Sequence, residues 1–235
     1  FMNSFNPVEN ITLTDRIYRE LSRAVIMGEF RPGDTLTIRE LASMYGTSAQ
    51  PVREAVNRLA AGRALTIIAN RSIKVPELSL DSVKNLSSTR TLIEGEAAAQ
   101  AALIANDDEK FEIETFNREL MDSFRERNIN QIIRANYDFH FAIYRVAHNE
   151  ILFCIIESLW LQSGPSAAFL YSSDNWASDR METSTIEYHN QILAAIKSQD
   201  SEGARQAITS DIESAAAVYA DAIASANEDN AEVLK

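Results

Sequence analysis

Apolar residues recur at helical spacing through the first third of the chain, with a break into strand-like runs near its end. Leu13, Ile17, Leu21 and Val25 repeat every four residues, which predicts an amphipathic helix from Asp15 to about Met27. Arg16, Arg19 and Arg23 lie on its other faces. Gly28 ends it, and Arg31-Pro32-Gly33-Asp34 reads as a turn. Thr37, followed three residues later by Glu40, is a capping box that starts a second helix, and Gly46 supplies a left-handed stop after Tyr45. Ser48 suits the N-cap of a third helix, whose first turn tolerates Pro51. Val52, Ala55, Val56 and Leu59 then form one apolar face, with Gln50, Arg53 and Asn57 on the opposite side. Ala64–Ile68 and Ser72–Val75 read as two short strands joined by Ala69-Asn70-Arg71, a turn carrying a cation. Caps and periodicity alone would also suit a helical hairpin inside a bundle. The strand pair that follows favours a winged helix-turn-helix.

Pro76 cannot continue a central strand, and Ser79 or Asp81 can start a helix, which places a domain boundary near residue 79. Residues 1–79 form the expected DNA-binding domain and 80–235 a second one. The second half is helical pattern almost throughout, in segments of roughly 81–105, 108–127, 129–147, 150–170, 181–198 and 200–226. Gly164-Pro165 should kink or break the fourth of these. The fold class is therefore mostly α: a winged helix-turn-helix followed by an all-α antiparallel bundle.

Charge changes the picture more than composition does. The net charge of −12 argues against nucleic acid at first sight. Residues 1–79, however, hold ten Lys and Arg against eight Asp and Glu, while residues 80–235 hold 12 against 26. The cations sit with the helix-turn-helix, and the acidic half would be repelled by phosphate. No apolar run approaches the roughly 18 residues of a membrane span, and no leader pattern precedes the first helix. The lone Cys154, inside an apolar helical pattern, reads as a buried thiol in a reducing compartment, so a cytoplasmic location is expected.

Ser48-Ala49-Gln50-Pro51-Val52-Arg53-Glu54-Ala55-Val56 resembles the Ser-x-x-Pro-Val-Arg-Glu-Ala-Leu signature of GntR-type bacterial transcription regulators. The likeness extends almost to the C-terminus, where it resembles the FadR subfamily with its helical effector (FCD) domain. Two positions depart from the pattern: Ala49 stands where many relatives carry Arg, and Arg63 where a Gly often follows the recognition helix. The implied partner is double-stranded palindromic operator DNA, bound by a homodimer. Gln50, Arg53 and Asn57 would face base edges. Ser48, Arg39 and Arg58 would lie against phosphates, and Arg71 would reach the minor groove.

Asn136-Tyr137-Asp138-Phe139-His140 resembles the family's Asp/Asn-x-x-Phe-His motif, and Glu187-Tyr188-His189 its second histidine motif; the third falls on Asp211 here. By resemblance, Asn136, His140, His189 and Asp211 would hold a divalent metal, with zinc first and manganese or nickel as alternatives. The other reading makes both histidines hydrogen-bonded core residues. His148, at a helix end, suits a dipole-compensating cap. Arg90 and Glu94, at i and i+4, read either as a surface ion pair or, by resemblance, as an effector pocket in which Arg90 clamps a small organic acid, with Tyr144 lining the cavity. No catalytic motif is present. The expected function is a ligand-responsive regulator, a repressor by preference. The alternative is a helical metalloenzyme acting on small carboxylates, with an accessory winged-helix module.

Overall fold

The computed structural model describes residues 11–68, 72–77, 79–172 and 176–233. Helix α1 (Leu13–Ile26) starts at Thr12, whose hydroxyl accepts from the Asp15 amide, and it buries Ile17, Leu21, Ala24, Val25 and Ile26. Helix α2 (Ile38–Met44) has the expected capping box: the Thr37 hydroxyl accepts from Glu40 N at 3.2 Å, and Glu40 accepts from Thr37 N at 2.7 Å. Gly46 takes φ +61° and turns the chain into α3 (Ala49–Ala61), which buries Val52, Ala55, Val56 and Leu59 against α1. The wing is a three-stranded antiparallel sheet in the order β1-β3-β2, from β1 (Thr35–Thr37), β2 (Thr66–Ile68) and β3 (Ser72–Lys74). Leu36 and Ile67 both pair with Ile73, the buried centre of the sheet. β1 is absent from the sequence-based reading because three residues between a turn and a capping box show no periodicity. The tip 69–71, with Arg71, lies outside the described residues.

Six helices follow: α4 (Leu80–Ile104), α5 (Asp107–Glu126), α6 (Ile129–Val146), α7 (Glu150–Ser172), α8 (Trp176–Lys197) and α9 (Ser201–Val233). Ser79, Asn106 and Asn128 cap the first three through side-chain oxygens. The small residues Ala97, Ala98, Ala101 and Ala102 of α4 let α9 pack closely along it, while α5 lies on α6 and α8 on α9. Helix α7 corrects one expectation, since it runs through Gly164-Pro165 without a break. It packs against α1, and a Cβ added at Gly164 would lie only 2.6 Å from Ile26 Cα. A single contiguous buried cluster runs from Ile17 and Leu59 into Phe141, Ile156 and Trp160, so the N-terminal unit and the bundle share a core.

Candidate DNA interface and buried polar site

The outer face of α3 presents Gln50 and Asn57 exposed and Arg53 half-buried, with Arg39 exposed on α2. Ser48 holds the N-cap position in extended backbone, yet its side chain makes no cap hydrogen bond. Its hydroxyl and the first α3 amides are therefore open to a phosphate. Gln50 Nε2 donates to Glu54 Oε1 at 2.8 Å, and Thr14 donates to the other Glu54 oxygen at 3.1 Å. That first bond engages one of the two Nε2 hydrogens of Gln50. Arg58 departs from its expected place on phosphate. Its Nη1 pairs with Asp15 at 2.7 Å and its guanidinium stacks over the Tyr18 ring at 3.9 Å, which ties α3 to α1. Arg63, just past α3, is held at φ +59°, where a glycine would be unstrained.

The second site lies inside the bundle, where α4, α6, α7, α8 and α9 meet. Glu94 is wholly buried and is its hub. Arg90 donates to both Glu94 oxygens, from Nε at 2.5 Å and Nη2 at 3.1 Å. Tyr144 Oη and Trp160 Nε1 donate to Oε2 at 2.5 and 3.1 Å. This corrects the expected effector contacts: neither Arg90 nor Tyr144 is an open clamp, because the chain's own carboxylate already occupies them. It also removes the surface-pair reading. Sequence reasoning noticed Glu94 only as a neighbour of Arg90.

The hydrogen-bond chain fixes a tautomer. Tyr144 has one hydroxyl proton, and it goes to Glu94. The 3.2 Å contact between Tyr144 Oη and His140 Nδ1 must then be donated by the histidine. That leaves His140 Nε2 as a bare lone pair, 3.4 Å from Asp211 Oδ2. His189 is fully buried, stacks on Phe139 and has no hydrogen-bond partner at either ring nitrogen; its Nε2 lies 3.8 Å from Asp211 Oδ1. One ligand atom from each of His140, His189 and Asp211 falls within 4.8 Å of the others. Asn136 lies one turn before His140 on α6 and is half-buried. Asp138 faces Arg134, and His148 faces Glu109 at 3.4 Å, so neither joins the site.

Burial decides the protonation states. It drives His140 well below the ordinary imidazole range, with His189 and Arg90 adding to the effect, and it lowers His189 to about 3. It raises Asp211 to about 7, against the pull of Arg90. Both imidazoles are therefore neutral near pH 7, as metal ligands must be. Glu94 offsets part of the attraction of Arg90, so an ionised Asp211 is only partly compensated. The donor set fits a divalent cation on three grounds: a lone pair beside a carboxylate, an orphaned buried imidazole and a buried acid only partly compensated. Ligand atoms on a four-coordinate zinc lie about 3.4 Å apart, which only the His140–Asp211 pair already satisfies.

Cys154 is exposed, contrary to expectation. Among the described residues, no helix is long and apolar enough to cross a membrane.

A winged helix-turn-helix joined to a helical bundle with a buried polar centre defines a class of DNA-binding regulator. The chain belongs to the GntR family of bacterial regulatory proteins: that family's profile matches residues 13–75, and the FCD domain profile matches residues 85–214. The HTH-type transcriptional regulator McbR of Escherichia coli K12 is 30% identical over 201 residues, covering 86% of this chain and 90% of McbR. The HTH-type transcriptional repressor RspR of the same organism is 24% identical, covering 87% and 86%. The solved E. coli McbR/YncC structure superimposes with a TM-score of 0.83 at 28% identity, covering 91% of this chain and all of that one. These relatives are regulators and not enzymes, which sets aside the metalloenzyme alternative.

Proposed function

We propose that this FadR-type regulator acts as a homodimeric repressor on palindromic operator DNA, released by a small carboxylate that binds beside a divalent metal. The observation that carries the reading is the His140–His189–Asp211 cluster, with its lone pair and orphaned imidazole directed inward. His140, His189 and Asp211 would hold the ion, with Asn136 near enough in sequence to join after a rotamer change. The bound ion would supply an electropositive centre for an oxygen of the effector. With Asp211 ionised, a divalent ion leaves the site one charge positive, which suits a monoanion. The Glu94–Tyr144 bond holds the His140 tautomer that the ion needs, so these two residues position a ligand rather than touch the effector. A gap of about 60 Å³ beside Arg90, walled by Leu86, Ile212 and Tyr219, adds room for a small apolar group. Exposed Leu92, Leu103 and Ile104 on α4, and Ile151 and Ile155 on α7, supply apolar surface for a partner copy. The cytoplasm suits this role.

The test is elemental analysis of protein purified without chelator, alongside His140→Ala, followed by operator binding with a panel of small organic acids. The reading expects about one ion per chain in wild type and none in the variant, and an acid that weakens operator binding by roughly 5–150-fold only in the metal-loaded protein. A folded wild type without metal would return both histidines to a core role. Metal without any acid response would remove the effector.

A further inference from the structure

A second cavity, of about 620 Å³, lies between the two domains, walled by α1 and α3 on one side and α6 and α7 on the other. It is separate from the buried polar site: Tyr137 lines it, and Tyr137 stands edge-on at 5.8 Å to Trp160, whose indole faces Glu94. Four arginines line it. Arg58 is held by Asp15, and Arg134 only loosely by Asp138 at 3.5 Å. Arg19 and Arg23, one turn apart on α1, have no ion-pair partner among the described residues. Between them lies Ser22, whose hydroxyl is buried and makes no hydrogen bond. The opposing wall carries the acceptors Glu157 and Asp138. Two cations without ion-pair partners, an unused donor and acceptors on the opposing wall, around a volume typical of small-ligand sites, describe a recognition surface.

We infer that this interdomain cleft binds a phosphate monoester with a hydrogen-bond-donating body, a nucleoside monophosphate or a sugar phosphate. Arginine forks match phosphoryl oxygens in pairs, so Arg19, Arg23 and Arg134 take the phosphoryl group and Ser22 adds a bond. Hydroxyl or amine donors of the body answer Glu157 and Asp138, which would repel a purely anionic guest. Such a ligand touches α1 and α6 together and fixes the DNA-binding unit against the bundle. Two sensing sites then act on one reader, and this one needs no metal.

Cys154, the sole cysteine, is exposed on the cleft wall and reports occupancy. The experiment measures its alkylation rate by iodoacetamide, with parallel calorimetry, in the full chain titrated with AMP, glucose 6-phosphate and inorganic phosphate. Saturable binding of either ester, slowed alkylation, and at least about tenfold weaker binding in Arg19→Ala/Arg23→Ala support the inference. Arg134→Ala should weaken binding from the other wall, which covers the case of a misfolded double variant. Repeating the titration in His140→Ala separates this site from the metal-dependent reading, and binding should be unchanged there. No ester binding up to millimolar concentration, equal binding of inorganic phosphate, or protection of Cys154 by operator duplex but not by the esters would each overturn it.

Discussion

Gly164→Ala tests the contact on which the shared core depends. The new Cβ would sit 2.6 Å from Ile26 Cα and 3.0 Å from Ile26 O, both backbone atoms that cannot rotate away. Ordinary carbon contacts lie near 3.5–4.0 Å, so α1 must retreat by about 1 Å. Overpacking of this kind costs about 1–3 kcal/mol, and the better helix propensity of Ala offsets about 1 kcal/mol. Gly95→Ala is the control. Its Cβ meets Arg205 Cγ at 3.3 Å, on a flexible side chain, so it keeps the propensity gain. The two variants should differ by about 1–3 kcal/mol, or roughly 2–12 °C in Tm for a chain of this size. Thermal melts of the full chain in one buffer decide the matter, with operator affinity as a second readout. A Gly164→Ala protein that melts with or above Gly95→Ala would refute the α1–α7 contact.

Glu94→Ala should lower stability by about 3–5 kcal/mol, because it strands Arg90 as a buried charge and leaves the Tyr144 and Trp160 donors unmet; chemical denaturation measures this. Arg63→Gly should raise stability by about 0.5–1 kcal/mol by relieving a left-handed residue, read the same way. Arg53→Ala should cost about 1–3 kcal/mol of operator affinity and blur one position of the site, seen by binding to operator variants. Metal affinity should rise with pH and level off above about 7. Asp211, raised to about 7 without the ion, must lose its proton to ligate, while the histidines are already neutral; chelator competition at three pH values tests the sign.

The elements with strong punctuation were legible in the sequence. Thr37 with Glu40, Gly46 and the α3 stripe placed the helix-turn-helix, and the resemblance of Asn136–His140 and Glu187–His189 to the family's histidine motifs pointed to the buried cluster. The failures share a cause. Helices buried on more than one side lose the polar face that reveals orientation. In α4, Glu94 sits between Ile93 and Gly95 and looks like a surface partner of Arg90, though it is wholly enclosed. In α7, Ile151 to Ile156 is apolar almost throughout, so nothing in the pattern says that Cys154 faces out while Ile156 faces in. Pro165 was read as a breaker because its effect was weighed locally, without the packing that holds α7 straight through it. Arg58 shows the remaining limit: its partner Asp15 is 43 residues away, beyond any local spacing rule.

Trp160 and Gly164 lie one turn apart on α7, about 6 Å along the helix. One touches the hub carboxylate and the other receives the end of α1. Sensor and reader are therefore not interchangeable cartridges joined by a tether at residues 76–79. A chimera that borrows its first 79 residues from a relative must bring the backbone at position 26 to the same close approach, against the one spot on α7 where Gly164 leaves no side chain in the way. Builders of hybrid biosensors from this chain should move that stretch of α7 together with the N-terminal module, and treat the seam as running across the fold rather than along the sequence.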